Sequence, residues 1–505
     1  MTVQATRLSA LLAASKVESL SAVGVDPVIR GATLDSRCVQ PGYLFFAMPG
    51  FRVNGEAFVS DAIRGGACAV IAESPRPAQL DSSIGWVQVA EPRRVAGLVS
   101  REYFGRPDEK LALVGVTGTN GKTTVTHLLE SIGRAAGRRC GRIGTAGYSF
   151  DNRQRPLSRT TPEAPEFYRL LAEMYESSVD LVAMEVSSHA LALSRVEGAR
   201  FSVAAFLNLS RDHLDFHHDL QRYFAAKAKL FESLGEDQWA VLPADSQYGR
   251  TLAERTAGRV LTFGRSAEAQ VRLLDERCLL DGSAAILETP SGTLPIRTFQ
   301  PGPKNLENIA AAAACALALK LPPESIPAGV LALSGVPGRM ERIDRGQGFT
   351  VLVDYAHTAD ALDNLLQWVR QVARARVIVV FGCGGDRDSG KRAEMGRVAA
   401  RSADLILLTS DNPRGEDPQR ILEQIAEGVR TVDGASSRSR MIADREQAIS
   451  EAISDARRDD VVVIAGKGSE TTQVIGDKQR PFDDREVARR ILSDLGWTEE
   501  PRAGA

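Results

Sequence analysis

The feature that most constrains the fold of this chain is a recurring unit: an apolar run of strand length, a turn, then a segment with helical spacing. LALVGV (111–116) precedes GTNGKTT and the helical stretch VTHLLESIGRAA, and DLVAMEV (180–186), FSVAAFLNL (201–209) and WAVLPA (239–244) extend the series. NLENIAAAAACALALKL (305–321) reads as an alanine-rich helix, and VPGRMERI (336–343), with its proline and glycine, as a hinge. The series then restarts with TVLVDYA, VIVVFGC, LILLTS and VVVIAG, separated by helical segments such as ALDNLLQWVRQVA and RILEQIAEGVR. Apolar runs without alternation belong to strands buried on both faces, and their interleaving with helices predicts largely parallel, doubly wound sheets. Residues before 105 mix short strand-like runs such as GYLFFAMPG and ACAVIAE with turns, and FGRPDEK (104–110) reads as a polar linker. The expected class is α/β with three domains at 1–106, 107–338 and 339–505. They are a small α/β domain, a central phosphate-loop ATPase domain with a mainly parallel sheet, and a smaller Rossmann-like doubly wound domain.

A chain of 505 residues exceeds a single core. Its net charge of -2 gives no basic face for nucleic acid. The N-terminus lacks the pattern of a signal peptide, and no apolar run is long enough to span a membrane. The six cysteines are scattered without CxxC spacing, as small buried residues in a reducing compartment would be. A cytoplasmic location without nucleic-acid or membrane partners is expected. The tail after about Asp494 reads as frayed.

GVTGTNGKTT (115–124) sits between strand and helix, where backbone N–H groups and a helix N-terminus cradle phosphates. Gly118 and Gly121 allow close approach, Lys122 brings positive charge to the outer phosphates, and the Thr123 hydroxyl suits magnesium. The general GxxxxGKT pattern fails by one residue, because its first glycine falls on Val116. Glu185, ending a buried strand in MEVSSHAL, offers an oxygen ligand for magnesium, which prefers oxygen; alone it is equally a glutamate at a strand end. NLSRDHLDFHH (208–218) holds three of the six histidines without zinc spacing. Read alone, Lys227 in YFAAKAKLF is a surface position on a helix, and DNPR (411–414) an Asn-Pro turn.

These segments together, from Leu34 to Glu470 and in order, resemble the Mur ligases, whose ATP loop takes the compact form TGTNGKTT. The resemblance implies an ATP site at Gly118, Thr119, Asn120, Gly121, Lys122, Thr123 and Thr124. It extends to Asn305 and Asn308 of NLEN, Arg339 of VPGRMER and Asp354 of VDYAHT. Lys304 stands where the family often has phenylalanine. The resemblance makes Lys122, Glu185, His213 and Lys227 the catalytic set, with Lys227 carbamylated by carbon dioxide. Thr123 and Glu185 would lie near one magnesium ion, and His213 and the carbamate near a second. Free lysine, with a pKa of about 10.4, would repel magnesium, whereas its carbamate is an anionic oxygen ligand.

LDSRCVQPGYLFFAMPG (34–50) resembles the uridine-binding start of the members that add the third peptide residue, implicating Leu34, Ser36 and Phe51, Arg52 and Val53. RTTPEAPEFYRLL resembles their muramoyl-peptide segment, with Thr160, Thr161, Ser187 and Arg195 as further contacts. Leu193 falls where some members have glutamine. In the third domain, GCGGDRDSGKR (382–392) and SDNPRGEDP (410–418) each follow a strand, the place where ligands bind in open α/β sheets. Meso-diaminopimelate differs from lysine by one carboxylate, which a planar arginine fork can pair bidentately. In the family DNPR marks diaminopimelate addition, here Asp411, Asn412, Pro413 and Arg414, with Arg387 as partner and with Gly466 and Glu470 of GKGSE at the amino end; Ser469 replaces a histidine. The expectation is a monomeric ligase joining diaminopimelate to UDP-N-acetylmuramoyl dipeptide with ATP and magnesium, through an acyl phosphate, in peptidoglycan synthesis. The alternatives are lysine as acceptor, a folylpolyglutamate-type synthetase, or an inactive nucleotide-binding regulator. His357 is a candidate base by location only.

Overall fold

The computed structural model describes residues 6–50, 53–151 and 153–498. Three sheets organise them. The first has five strands in the order Ser21–Val23, Gly85–Gln88, Ala67–Ala72, Tyr43–Phe46, Gly31–Thr33, parallel except at the Ser21–Val23 edge. Successive side chains leave a strand on opposite faces. Phe46, Ile71 and Val87 therefore pack with Val95 and Val99 of the helix Pro92–Tyr103, while Phe45, Val70 and Trp86 pack with Val59 and Ala62 of the helix Val59–Arg64.

The central sheet has eleven strands. From Cys140–Gly144 through Leu181–Glu185, Ala112–Thr117, Val203–Phe206, Trp239–Pro243 and Arg259–Gly264 to Val271–Leu279 it is parallel. Val114, Val116 and Val203 face Leu128 and Ile132 of the helix Lys122–Ala135 and the alanines of Pro303–Ala318. The other face meets Phe167 and Phe231. Small residues bring helices close: a Cβ on Gly329 would stand 2.4 Å from the Ile132 Cα. Ala112–Thr117 lies between two strands that come later in the chain, so this is a switch point, and its three adjacent strand ends place Gly118–Thr124, Glu185 and the 207–213 loop side by side.

The third sheet runs Glu341–Ile343, Thr350–Asp354, Val461–Ala465, Val377–Phe381, Leu405–Leu408, Ser439–Met441, with only the first strand antiparallel. Its strand ends present Asp354, Gly382 onward, Thr409 onward and Gly466 on one edge.

Three differences from the sequence reading have physical causes. The central sheet ends in antiparallel additions, a hairpin of Gly147–Phe150 with Arg153–Arg155 and a meander of Val271–Leu279, Gly282–Thr289 and Gly292–Thr298. FGRPDEK is no loose linker: Asp108 is buried and accepts from Arg101 Nε at 2.8 Å and the Arg200 N–H at 2.9 Å, tying the helix Pro92–Tyr103 to the central sheet. Beyond Asp494 the chain still packs on the domain, with Trp497 edge-on to Phe349 at 6.4 Å. No helix among the described residues is long and apolar enough to cross a membrane.

Candidate functional site

The phosphate loop is fastened on both sides. Gly118 (φ 152°) and Gly121 (φ 92°) open the turn, and a Cβ on Gly121 would stand 2.3 Å from Asn308 Oδ1, so glycine there admits the side chain of the helix Pro303–Ala318. Lys122 Nζ curls back to donate to the carbonyls of Gly118 and Thr119, each at 2.8 Å. The Asn208 amide meets the Asn120 peptide reciprocally, accepting its N–H at 2.9 Å and donating to its carbonyl at 3.1 Å. The Thr119 hydroxyl lies 3.2 Å from the Tyr223 hydroxyl, and the Ser210 N–H donates to it at 3.0 Å. Thr124 is buried in the first turn of the helix.

Glu185 is 1% exposed. It accepts from the Thr123 hydroxyl at 2.9 Å, the Thr145 N–H at 2.9 Å and the Thr145 hydroxyl at 3.1 Å. Thr145 also contacts the Thr160 hydroxyl at 3.0 Å. A buried carboxylate beside a threonine hydroxyl at the phosphate loop is the oxygen donor set a magnesium ion takes, so these residues fit the metal.

Lys227 is not on the surface. It is 1% exposed, donates to the Gly118 carbonyl at 2.9 Å, and lies 4.6 Å over the Tyr223 ring. Burial, reinforced by Lys122, depresses its pKa well below the usual lysine value. The helix Leu220–Glu232 puts Tyr223, Lys227 and Phe231 on one buried face.

His213 (φ 54°) stands in a cluster that the sequence did not announce: its ring is 4.8 Å from that of His189, which packs on Phe216 at 4.3 Å. His217 contacts the Ser188 hydroxyl at 2.9 Å. Burial holds His213 down to about 3, so the imidazole is neutral with a lone pair to offer. Asp212 faces His213 Nε2 at 3.3 Å and His357 Nε2 at 3.7 Å. Burial opposes its ionisation, but His357, His213 and Lys391 hold it below the usual carboxylate range. Asn208, Asp212, His189 and Tyr223 were missed by the sequence reading; the polar NLSRDH run after a buried strand was the available signal for the first two.

The third domain reaches this site. Arg339 Nη2 donates to the Thr123 hydroxyl at 3.0 Å while its guanidinium stacks 4.2 Å from the Tyr355 ring. Arg211 faces Asp388 at 3.4 Å, and His357 Nδ1 turns to the Tyr355 carbonyl at 2.8 Å. Asp354 accepts the Met340 N–H at 2.7 Å and the Ala356 N–H at 2.9 Å, and burial raises its pKa. Asn305 is buried and donates to the Pro301 carbonyl at 2.7 Å; Lys304 points out, pairing Glu307 at 3.0 Å.

Between the first and central domains lies a cleft of about 1180 Å³. Leu34, Ser36, Val53, Arg93 and Arg159 line it. Phe51 and Arg52 lie outside the described residues. Thr161 is fully buried, donating to the Glu185 carbonyl at 2.9 Å and accepting from the Ser187 N–H at 3.0 Å. Arg195 donates to the Thr161 carbonyl at 3.2 Å and pairs Glu163 at 3.0 Å.

At the third-domain strand ends, glycine at 384 leaves room for Arg414, whose Nη1 would lie 2.8 Å from a Cβ there, and Arg387 Cγ stands beside the same position at 3.8 Å. Arg387 is exposed, and Arg414 (φ 51°) donates to the Gly385 carbonyl at 2.7 Å. Among the described residues neither lies within ion-pair distance of a carboxylate. Asn412 donates to Glu470 at 2.9 Å, the fully buried Lys467 donates to the same Glu470 oxygen at 2.9 Å, and Pro413 backs onto Gly385. Gly466 (φ 112°) passes Asp411, whose Oδ2 would lie 2.9 Å from a Cβ.

A phosphate loop with magnesium-type oxygens, met by an arginine from a second α/β domain, makes a nucleotide-phosphate site, and the family matches make the chain an ATP-dependent ligase. The chain belongs to the Mur ligase family: residues 28–99 match the Mur ligase family catalytic domain, 116–316 the Mur ligase middle domain, and 338–468 the Mur ligase glutamate ligase domain. It is 45% identical to the UDP-N-acetylmuramoyl-L-alanyl-D-glutamate–2,6-diaminopimelate ligase of Solibacter usitatus, over 93% of this chain and 94% of that protein. It is 43% identical to the protein of the same name from Geobacillus kaustophilus, over 94% and 96%. A solved structure of a ligase of that name superposes with a TM-score of 0.68 at 31% identity, covering 97% of this chain and 99% of the other.

Proposed function

We propose that this enzyme joins the D-glutamate γ-carboxylate of UDP-N-acetylmuramoyl-L-Ala-D-Glu to an amine of meso-diaminopimelate, with ATP and magnesium, in peptidoglycan precursor synthesis. The observation that carries the acceptor assignment is the arginine pair beside Gly384, set at strand ends and, among the described residues, without a carboxylate at ion-pair distance. The three regions 1–106, 107–338 and 339–505 serve the nucleotide-linked peptide, ATP and the amino acid in turn. The reading includes a monomeric enzyme acting in the cytoplasm.

Gly118 to Thr124 hold the triphosphate, and Lys122 exchanges its carbonyl partners for the outer phosphates. Asn305, Asn308 and Asp354 face the nucleoside. Leu34, Ser36, Phe51, Arg52 and Val53 take the uridine end of the peptide substrate, and Thr160, Thr161, Ser187 and Arg195 its peptide end. The glutamate γ-carboxylate attacks the γ-phosphorus and ADP leaves. The acceptor amine attacks the acyl phosphate, and phosphate departs from the tetrahedral intermediate with loss of a proton. Magnesium, when bound through Thr123, Glu185, His213 and Lys227, neutralises phosphate charge in this transfer. Lys227 serves as its carbamate: burial lowers the amine's pKa and so favours the free base, whose lone pair forms an N–C bond to carbon dioxide with release of a proton. Arg387, Arg414, Asp411, Asn412, Pro413, Gly466 and Glu470 hold the diaminopimelate. Catalysis is then positioning and charge stabilisation in a site closed to water.

Mass analysis of the product tests this. Purified enzyme with ATP, magnesium, the UDP-linked dipeptide and diaminopimelate should yield the dipeptide plus diaminopimelate less one water. No amide product with any amino acid would refute the reaction.

A further inference from the structure

Arg339 spans a domain boundary from a short, strained turn. Gly338 has φ 62° and Met340 φ 49°, and Gly338 packs so tightly on Gly468 that a Cβ would lie 2.1 Å from its carbonyl carbon. Such a turn persists only where its surroundings over-determine it. Asp354 takes the Met340 N–H, and the Gly338 N–H donates to Glu341 Oε2 at 2.8 Å. The other oxygen of that carboxylate accepts from Arg489 Nη2 at 2.7 Å, and Arg485 Nη1 lies 3.7 Å from Oε2. Both arginines belong to the helix Asp484–Asp494.

We propose that Glu341 is a positioning residue for the nucleotide step: held by the arginines of the C-terminal helix, its carboxylate clamps the turn that delivers Arg339 to Thr123. The C-terminal helix thereby acts on the phosphate loop through Glu341 and Arg339. The proposal rests on the reading that Arg339 serves ATP.

Steady-state kinetics on the full chain tests it, with the KM of each substrate measured separately alongside the melting temperature. Glu341→Ala should raise the KM for ATP about ten-fold, the worth of a charge-assisted hydrogen bond, and leave the other two KM values within about two-fold. Glu341→Gln keeps an acceptor for the Gly338 N–H and should stay within about three-fold of wild type. The double variant Arg339→Ala/Glu341→Ala should be no worse than Arg339→Ala alone, because residues acting as one unit are non-additive. Additive losses, or all three KM values rising together with a fall in melting temperature, would overturn the clamp. An unchanged KM for ATP in Glu341→Ala beside an impaired Arg339→Ala would overturn the clamp alone. An unchanged Arg339→Ala would remove the nucleotide reading of Arg339 and the clamp with it.

Discussion

Around the phosphate loop the charged and polar groups already hold one another, whereas at the third-domain strand ends two arginines meet no carboxylate at ion-pair distance among the described residues. Lys122, Thr123, Glu185 and Lys227 each have a protein partner within 3.0 Å. Arg414 has a backbone carbonyl and Arg387 is exposed. On the proposed function the difference separates two tasks. A site that moves phosphoryl groups profits from groups fixed before substrate arrives, with partners that ligands replace. A site that selects one amino acid profits from charge left for the ligand to satisfy, because an arginine without its carboxylate penalises the wrong acceptor.

The largest effects should come from the preassembled side. Lys122→Ala is expected to lower kcat/KM by about 10³-fold, the scale for losing a fixed charge-stabilising donor, with a nearly unchanged melting temperature. A retained rate would break the contrast at its stronger end. Arg414→Ala should raise the KM for diaminopimelate about 10²-fold while the KM for ATP stays put; equal losses for both would mean that the arginine holds structure rather than acceptor.

The acceptor loops are also braced by an ion pair. Glu416 takes both Arg392 amino groups, at 2.8 and 2.9 Å, and the Asp386 N–H at 2.6 Å, so it joins the loops that carry Arg387 and Arg414. Hydrogen bonds from Arg392 pull its carboxyl down to about 2 against some burial. A folded-state pKa below the ordinary 4.5 contributes stability above that pH and loses it as pH falls towards 2. Glu416→Gln should therefore lower the melting temperature at pH 7 and flatten its decline between pH 4.5 and 2; parallel acid profiles would show that the brace contributes nothing.

Smaller effects should follow on the nucleotide side. Tyr223→Phe removes one hydroxyl from the Thr119 contact and should cost about three- to ten-fold in the KM for ATP. Lys304→Ala, an exposed ion pair with Glu307, should change no constant by more than about two-fold; a large effect there would place the base contact at Lys304.

Contiguous features were legible in the sequence. GTNGKTT lies at a strand-to-helix turn, Glu185 ends a buried strand and DNPR follows one, as read, and the apolar runs located the parallel strands. What stayed hidden was assembled from distant segments: Asn208 against Asn120, His189 against His213, Asp212 against His357. The burial of Lys227 was readable from its spacing, since Tyr223, Lys227 and Phe231 recur at i, i+4 and i+8, the stripe a helix buries. The meander was readable too: Asp281-Gly282 and Ser291-Gly292 separate alternating runs, a hairpin signal.

Phosphate release with ATP, magnesium and the UDP-linked dipeptide, comparing meso-diaminopimelate with L-lysine in the wild type and in Arg414→Ala, tests the central claim most directly. The account predicts release with diaminopimelate, none above background with lysine, and loss of that preference in the variant. Equal or greater release with lysine in the wild type would contradict it.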